Sequence, residues 1–263
     1  MKKSFFLILC LSCGETYNLQ AQQKAKPEDT EYYTPVPKIV TPGKAQGDAP
    51  SDAIILFSGK NLDQWVSEKD STKPADWQLS EEIITVNKKA GDIRTRQSFM
   101  DFQLHIEWRI PKKITGKGQA RGNSGIFLAA PNDDTGYELQ VLDSYNNTTY
   151  VNGQAGSIYK QYPPLVNANR PPGVWQTYDV IWTAPRFNDD GSLETPARVT
   201  ALLNGILVQN NVELKGGTPY IGQPSYKKHG PSPIRLQAHG DPSEPVSYRN
   251  IWIRPSIEVN KTM

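Results

Sequence analysis

The sequence predicts an all-β protein made of two packed antiparallel sheets, in a sandwich or jelly roll. Two observations carry this prediction. About ten to twelve short apolar-polar runs lie between turn signals, and no segment shows a sustained helical periodicity. The chain also contains 20 glycines and 21 prolines, which are typical of many tight turns. Its 263 residues suit one globular domain with a full core.

The overall charge is nearly balanced. The chain has 29 basic and 27 acidic side chains, a net charge of +2. This balance gives no electrostatic reason to expect nucleic acid or an acidic partner. A small or neutral ligand is the better expectation.

Residues 1–21 are predicted to be a secretory signal peptide. Lys2 and Lys3 precede an apolar run from Phe5 to Leu11, and Leu19-Gln20-Ala21 is similar to a cleavage site. The run is too short to cross a bilayer, and no later segment approaches the necessary length. We therefore expect an exported protein that is periplasmic or associated with the outer membrane.

Cys10 and Cys13 are the only cysteines, and both lie within the predicted signal peptide. The folded domain is therefore expected to contain no disulfide and no thiol chemistry. Ser12-Cys13-Gly14 is also similar to a bacterial lipoprotein cleavage site. A lipid anchor at Cys13 stays open as an alternative.

Residues 22–51 predict an extended linker. Five prolines, the last of them Pro50, stand among Lys, Glu, Gln and Gly, with few apolar residues. The globular domain is predicted to span residues 52–257.

The strands are predicted in chain order from alternation and turns. The clearest runs from Phe102 to Ile110, where apolar residues alternate with Gln103, His105, Glu107 and Arg109, so that one face is polar. Asn204-Gly205 predicts a tight hairpin. The other predicted strands are Ile54–Phe57, Trp77–Leu79, Ile83–Val86, Trp175–Trp182, Val199–Leu203, Ile206–Val208, Ile234–Ala238 and Val246–Arg254.

A central hairpin carries the first candidate site. Its predicted strands, Ser124–Ala129 and Tyr137–Leu142, are joined by a polar turn. Glu138 and Gln140 share one face of the second strand. A carboxylate beside an amide on a rigid strand can hold a hydroxyl-rich ligand and move a proton. The alternative is the ordinary solvated face of an antiparallel sheet.

The spacing of Glu138, Gln140 and Asp143 is similar to the Glu-x-Asp-x-x-Glu pattern of laminarinase-like retaining glycosidases. In retaining enzymes two carboxyl groups lie about 5 to 5.5 Å apart in one cleft. Here an amide replaces the middle acid, and the last acid is one carbon shorter. A double-displacement glycosidase is therefore the second interpretation.

Of the three histidines, His239 is the strongest functional candidate. It follows a predicted strand and precedes Gly240 and Asp241, a position where loops carry chemistry. No histidine pair has the spacing of a zinc site. A Ca²⁺ or Mn²⁺ ion bound by Asp133, Asp134 or Asp143 stays open as an alternative.

A set of short motifs, in this order, resembles one family. Over residues 52–255 the chain resembles the 3-keto-disaccharide hydrolases, also described as 3-keto-glucoside lyase and hydratase domains. Ser58 departs from the expected Asn in an opening turn. The motifs are Leu56-Phe57-Ser58-Gly59-Lys60-Asn61-Leu62 with Trp65, Leu104-His105-Ile106-Glu107-Trp108-Arg109, Gly122-Asn123-Ser124-Gly125-Ile126, Tyr137-Glu138-Leu139-Gln140, Gly156-Ser157-Ile158-Tyr159, Leu236-Gln237-Ala238-His239-Gly240 and Tyr248-Arg249-Asn250-Ile251.

The resemblance implies a concanavalin A-like jelly roll that acts on glucosides whose C3 hydroxyl has become a ketone. The ketone acidifies the C2 proton, so that a base can remove it and the C1 aglycone can leave by β-elimination. Water can then add to the enone. The implied partner is a glycoside or oligosaccharide, and no cofactor is certain, although a divalent Ca²⁺ or Mn²⁺ ion fits.

Roles follow as hypotheses from the resemblance. Glu138 and His239 act as base and acid in either order, and Arg109, Lys160 or a metal stabilises the enolate. Glu107 orients His105 or Arg109. Sugar hydroxyls are held by four further residues. These are Asn123, Gln140, Tyr159 and Gln237. A non-catalytic, lectin-like carbohydrate-binding domain is the third interpretation, since fold alone does not separate it from an enzyme.

Overall fold

A computed structural model describes residues 25–131 and 136–256. The chain divides into two compact units, Met1–Ile39 and Val40–Met263. The described part of the first unit contains one short 3-10 helix, Pro27–Thr30. The predicted signal peptide, the lipid-anchor candidate Cys13, and the turn acids Asp133 and Asp134 lie outside the described residues.

Strands dominate the second unit. Two further 3-10 helices lie at Gly118–Ala120 and Val151–Gly153, and no helix in the described ranges has the length and apolar character that crossing a bilayer needs. The strands are β1 (Ile54–Phe57), β2 (Trp65–Ser67), β3 (Gln78–Ser80), β4 (Ile83–Thr85), β5 (Ile93–Thr95), β6 (Phe102–Arg109), β7 (Ser124–Phe127), β8 (Glu138–Val141), β9 (Gln176–Thr183), β10 (Arg186–Phe187), β11 (Leu193–Thr195), β12 (Arg198–Leu203), β13 (Ile206–Glu213), β14 (Arg235–Leu236) and β15 (Ser247–Pro255).

The strands form two main antiparallel sheets. The eight-stranded sheet has the order β13-β12-β9-β6-β15-β4-β3, with β1 also paired to β15. The five-stranded sheet has the order β2-β5-β14-β7-β8, and β10 pairs only with β11. This arrangement confirms the predicted all-β sandwich of jelly-roll type. It also places β6 and β8, which carry the two predicted polar faces, in different sheets.

The core lies between the two sheets. From β6, the alternating residues Phe102, Leu104, Ile106 and Trp108 are at most 1% exposed. The facing sheet contributes Ile93, Ile126, Leu139 and Leu236, which are buried to the same degree. Because side chains alternate along a strand, the intervening residues of each sheet point away from this core. The two outer faces therefore lie on opposite sides of the sandwich.

The predicted tight hairpin is present between β12 and β13. Asn204 and Gly205 both have positive φ angles, 56° and 80°. Positive φ at both central residues is the requirement of a type I′ turn, which matches the twist of the flanking strands. The turn pairs Leu203 with Ile206.

Part of the segment predicted as a linker belongs to the folded unit, which begins at Val40. The Gly47 carbonyl accepts hydrogen bonds from Asn250 Nδ2 at 2.9 Å and Trp252 Nε1 at 2.8 Å. Gly47 has a φ of 88°, and a side chain there would crowd the His105 ring. Residues 40–51 therefore pack on the outer face of the eight-stranded sheet.

Candidate functional site

Register brings the candidate residues together on the outer face of the five-stranded sheet. Arg235 of β14 pairs with Phe127 of β7, which pairs with Glu138 of β8. The Gln237 amide N–H bonds the carbonyl of Gly125, whose strand partner is Gln140. Paired residues in an antiparallel sheet point to the same face. Two neighbouring rows of side chains therefore project outward together.

These rows form the floor of a cavity of about 230 Å³. Most of the residues that the sequence singled out line it, and they come from three separate parts of the chain. They are Asn123, Glu138, Gln140, Tyr159, Gln237 and His239. The two strongest candidates for proton transfer, Glu138 and His239, thus line the same cavity.

The Glu138 side chain is buried in this cavity, with 5% of its surface exposed. No side chain among residues 25–131 and 136–256 donates a hydrogen bond to its carboxyl group. Burial raises the pKa of Glu138 to about 8, the Asp92 charge raises it too, and Arg235 acts in the opposite direction. The alternative of a solvated sheet face is therefore wrong for Glu138 and for Gln140, which is 1% exposed.

Arg235 is the cation nearest in register to Glu138, and the sequence analysis did not propose it. Its guanidinium carbon lies 3.8 Å from the centre of the Phe127 ring. Nε lies 3.6 Å from Asp92 Oδ2, and NH1 lies 3.9 Å from Glu68 Oε1. These contacts hold the cation beside the cavity. The sequence pattern does indicate Arg235, because it alternates with Gln237 and His239 and so shares their face of the predicted strand.

His239 is held by a buried carboxylate. Its Nδ1 lies 3.0 Å from Asp241 Oδ2, and the same oxygen lies 3.1 Å from Lys88 Nζ. Burial works against ionisation of Asp241, but hydrogen bonds from His239, Ser243 and Lys88 prevail and lower its pKa to about 2.

Two contacts compete for His239 Nδ1, because the Asp241 backbone N–H also points at it from 3.2 Å. An ionised carboxylate can only accept, and its contact at 3.0 Å is the shorter and charge-assisted one, so we assign the proton to Nδ1, which donates to Asp241 Oδ2. The other ring nitrogen, Nε2, then carries the lone pair and lies 3.5 Å from Asn123 Nδ2, on the cavity wall. Asp241 is a functional residue that was not predicted from the sequence. Its position two residues after His239 is the feature of the sequence that indicates this role.

The amides form a chain with free acceptors. Gln140 Nε2 donates to Asn123 Oδ1 at 3.0 Å, and Asn123 Nδ2 donates to the Gln119 carbonyl at 2.8 Å. Within the described ranges, Gln140 Oε1 and Gln237 Oε1 are buried without a hydrogen-bond partner. Buried polar atoms are nearly always satisfied. Two acceptors thus await donors from a ligand.

Tyr159 lines the cavity, whereas the next residue, Lys160, does not. The Tyr159 hydroxyl is 2.8 Å from the hydroxyl of Tyr150. Lys160 Nζ donates to the Tyr220 carbonyl and lies 4.3 Å from the centre of the Tyr220 ring. Lys160 borders a neighbouring groove rather than the inner cavity.

Besides Lys160, two further predicted site residues, Glu107 and Arg109, do not line this cavity. Both lie on β6, whose polar face is the outer face of the other sheet. Glu107 pairs with Arg249 Nε at 2.6 Å and lies 3.7 Å from His105 Nε2. The Arg109 guanidinium lies 4.5 Å from the centre of the Trp175 ring. The polar faces of β6 and β8 therefore do not meet in one site.

Asp143, the third member of the glycosidase-like spacing, also lies outside the cavity lining. It is 1% exposed, and its Oδ2 lies 2.7 Å from Arg121 Nε. Among the described residues no group of three or more His, Cys, Asp or Glu side chains is arranged to hold a metal ion. The divalent-metal alternative at Asp133 and Asp134 falls outside those residues.

Comparisons with solved structures identify relatives of similar shape. A candidate glycosyl hydrolase from Parabacteroides distasonis ATCC 8503 is 56% identical, with a TM-score of 0.82, over 88% of this chain and 97% of that chain. A second from the same organism is 21% identical, with a TM-score of 0.56, over 78% of this chain and 94% of that chain, and shows similarity of fold. No curated protein sequence matched.

A family model for the 3-keto-alpha-glucoside-1,2-lyase-like domain matches residues 52–254. The match covers most of the chain and contains every residue that lines the cavity. It agrees with the family that the sequence motifs resemble. The chain therefore belongs to the family of 3-keto-alpha-glucoside-1,2-lyase-like domains.

Proposed function

We propose that this domain is a carbohydrate-acting enzyme that cleaves 3-keto-glucosides by β-elimination of the C1 aglycone and then hydrates the enone. The family match and the candidate glycosyl hydrolase relative support action on carbohydrates. The finer chemistry rests on one observation. Glu138 and His239 line the same cavity, and their environments differ sharply, since His239 is paired with Asp241 whereas Glu138 is buried without a hydrogen-bonding side chain from the described part of the chain.

His239 is assigned as the base. Asp241 fixes the tautomer that leaves Nε2 with a lone pair, and its charge stabilises the imidazolium that forms when Nε2 takes a proton. In a 3-keto sugar the C2 proton is acidic because the electron pair left behind delocalises onto the C3 oxygen. Removal of that proton gives an enolate.

Glu138 is assigned as the acid. With a pKa of about 8, its carboxyl group holds its proton at neutral pH. As the enolate collapses, the C1–C2 double bond forms, the C1–O bond breaks, and the glycosidic oxygen takes the Glu138 proton. Pairs of titratable groups whose pKa values are pushed apart are typical of such acid and base assignments.

Hydration then uses the same pair in reverse. The ionised Glu138 removes a proton from water as the oxygen adds to C1. The imidazolium of His239 returns a proton to C2. The net result is hydrolysis of the glycosidic bond, and both residues recover their starting protonation states.

Arg235 is the best-placed cation for the enolate oxygen. Its guanidinium lines the cavity and is held by Phe127 and the acids beyond it. A fixed positive charge next to a developing oxyanion stabilises the transition state more than the ground state. Arg235 thus takes the part that the sequence analysis gave to Arg109 or Lys160.

The free amide oxygens indicate what kind of sugar binds. Gln140 Oε1 and Gln237 Oε1 accept hydrogen bonds and cannot donate them. A ring with free hydroxyl groups satisfies both oxygens, whereas a carboxylate on the ring would meet two acceptors. The cavity therefore favours a neutral sugar.

The position of Asp143 disfavours the laminarinase-like interpretation. A retaining double displacement needs a second carboxyl group that faces the first across the sugar. Asp143 is buried against Arg121 instead. Elimination needs no covalent nucleophile and fits one carboxyl group beside one imidazole.

The test measures aglycone release and enone absorbance with purified full-length protein and two 3-keto-glucosides, one methyl and one 4-nitrophenyl. In Glu138→Gln, the rate of aglycone release from the methyl glycoside should fall by about 100-fold or more, as expected for loss of a general acid. The rate with the 4-nitrophenyl glycoside should fall less, because 4-nitrophenolate leaves without protonation. His239→Gln should lose both activities, because proton removal precedes departure of either group.

Glu107→Gln is the matched control, since it removes a carboxylate from the opposite face of the sandwich and should leave turnover intact. Equal losses for both substrates in Glu138→Gln would contradict its role as acid. Binding of plain oligosaccharides without cleavage of any 3-keto-glucoside would move the protein to the lectin class.

A further inference from the structure

Beyond the inner cavity lies a second compartment of about 530 Å³. The two share a boundary of four residues, Asn123, Tyr159, Tyr220 and His239. The imidazole assigned as the base therefore stands at the passage between them. A molecule too long for the inner cavity would extend past His239 into this compartment, which we term the aromatic groove.

Three tyrosines form the walls of the aromatic groove. Tyr159 is nearly buried, whereas Tyr150 and Tyr220 are 40% and 71% exposed. Tyr150 is held in place by its hydroxyl bond to Tyr159 and by Gly153, where any side chain would overlap its ring. The groove thus presents aromatic faces that are open to a ligand yet supported from behind.

Lys160 connects the two sides of the groove. Its Nζ donates to the Tyr220 carbonyl and lies 4.3, 5.6 and 5.9 Å from the ring centres of Tyr220, Tyr159 and Tyr150. A cation between aromatic rings is attracted by their electron-rich faces. Lys160 therefore fixes the Tyr220 segment against the Tyr150 wall and keeps the groove at a defined width.

The two compartments differ in chemistry. The inner cavity offers a carboxyl group, a guanidinium and unpaired amide oxygens. The groove offers the rings of its three tyrosines. The rest of its lining combines Ala120 and Gly240 with the polar side chains of Gln119, Asn123, Lys160, His239 and Asp241. A ligand that spans both should thus have a hydroxyl-rich part and a part with a flat apolar face.

We propose that the aromatic groove is the binding site for the leaving group, and that it selects aglycones with a planar ring face that stacks on Tyr150 and Tyr220. This inference rests on the proposed function. If the 3-keto sugar occupies the inner cavity, its C1 substituent must leave that cavity. Glu138 lines the inner cavity together with Tyr159 and Tyr220, the two tyrosines that the cavity shares with the groove.

Two leaving groups share this chemistry, an aryl ring and the apolar face of a second sugar. Both would stack on tyrosine, and stacking on an aromatic face contributes beyond the area that it buries. A methyl aglycone offers no face. Substrate comparison can therefore separate the groove's contribution from catalysis in the inner cavity.

The experiment measures kcat/KM for methyl, phenyl and glucosyl 3-keto-glucosides with the wild-type protein, Tyr150→Ala, Tyr150→Phe and Tyr145→Ala. The quantity of interest is each ring-bearing substrate's kcat/KM divided by that of the methyl glycoside. In Tyr150→Ala this ratio should fall about three- to tenfold. Tyr150→Phe keeps the ring and should keep the ratio. Tyr145, a surface tyrosine that is 38% exposed and outside the groove, is the matched control.

The outcomes separate the two proposals. Turnover with an unchanged ratio in Tyr150→Ala overturns the groove inference and leaves the proposed function standing. A fall for phenyl alone assigns aryl aglycones, and a fall for glucosyl alone assigns disaccharides.

Calorimetric binding of unoxidised phenyl glucoside gives a readout that does not depend on turnover. Weaker binding to Tyr150→Ala than to Tyr150→Phe supports the groove even if no 3-keto-glucoside is cleaved. Equal binding to both overturns it.

Discussion

The carboxyl group of Glu138 occupies the space that a side chain on Gly125 would fill. A β-carbon at Gly125 would overlap the Glu138 oxygen and lie 2.8 Å from its carboxyl carbon. Gly125 sits within β7, where glycine contributes nothing to packing or to strand propensity. Its presence there is explained by the neighbouring strand, since only a bare backbone leaves room for the buried acid.

Replacing Gly125 with Ala should therefore impair catalysis more than folding. The methyl group would push the Glu138 carboxyl out of the cavity, and we expect kcat/KM to fall at least tenfold. Overpacking of this kind costs about 1–3 kcal/mol of stability, which a folded domain can tolerate. Kinetics and a thermal melt of the same preparation measure the two effects.

Gly230→Ala is the control for that substitution, because a β-carbon at Gly230 would meet no atom within 4 Å. It should leave both activity and melting temperature near the wild-type values. Full activity in Gly125→Ala would show that the observed position of the Glu138 carboxyl is not needed for turnover.

Asp241 should act by positioning His239 rather than by touching substrate. Replacing it with Asn puts a neutral amide beside Nδ1 and removes the charge that stabilises the imidazolium. We expect kcat to fall by about 10²- to 10⁴-fold with little change in KM. The pH dependence of kcat should also change, which loss of structure alone would not produce.

Glu244→Gln is the comparison variant for Asp241→Asn. Glu244 is a nearby acid that accepts hydrogen bonds from Thr115 and does not contact His239. Its replacement should leave kcat unchanged. If the two variants had the same activity and pH profile, Asp241 would have no specific part in catalysis.

The strand pattern was readable from the sequence because alternation reports burial directly. Phe102 to Arg109 and the Asn204-Gly205 turn are found where local chemistry predicts them. The sequence also predicted correctly that Glu138 and Gln140 share one face of their strand, but it did not predict that Glu138 is buried. Tyr159 and the Thr218 hydroxyl, which accepts the backbone N–H of Glu138, come from outside the hairpin that carries Glu138.

The sequence could not assign strands to sheets, and that is why Glu107 and Arg109 were grouped with Glu138. β6 and β8 have similar polar alternation, yet β6 pairs with β9 and β15 while β8 pairs with β7. Such pairing depends on long-range packing of the apolar faces. Arg235 was missed because only the pairing of β14 with β7 and of β7 with β8 brings it close to Glu138.

Glu138 should make the protein less stable as pH rises. Its pKa is about 8 in the folded protein and 4.5 in the unfolded reference, so the native state binds the proton more tightly. The contribution of Glu138 to the free energy of unfolding is therefore fully present below pH 4.5 and is lost as pH rises through 8, a change on the order of 5 kcal/mol.

Glu138→Gln cannot ionise, so it should be more stable than the wild type at pH 8 and much closer to it at pH 5. Urea unfolding at the two pH values measures this difference.

Glu107→Gln should instead make the protein less stable than the wild type at both pH values. Despite the effect of burial, hydrogen bonds from His105, Asn250 and Arg249 lower the Glu107 pKa to about 2. Its ionised form thus stabilises the protein at neutral pH. Equal effects of Glu138→Gln at pH 5 and pH 8 would contradict the assigned pKa.

The charge on His105 should stabilise the segment around Gly47, which packs against the His105 ring. The His105 ring lies parallel to Trp252, 5.2 Å between ring centres, and Nδ1 lies 2.7 Å from Asp179 Oδ1. Burial favours the neutral ring, but Asp179 and Glu107 outweigh it and raise the His105 pKa to about 9. The stabilisation that the charged ring provides is complete below pH 6.5 and is lost as pH rises through 9.

Asp179→Asn should weaken this ion pair and loosen the segment that covers it. Because Asp179 is partly exposed, solvent screening limits the expected loss to about 1 kcal/mol at pH 7, and the difference from wild type should vanish by pH 10. Hydrogen exchange should quicken at the Asp48 amide, which bonds the Ala45 carbonyl within the same segment. Unchanged exchange there would mean that the bonds from Asn250 and Trp252 to Gly47 hold the segment without help from the charged histidine.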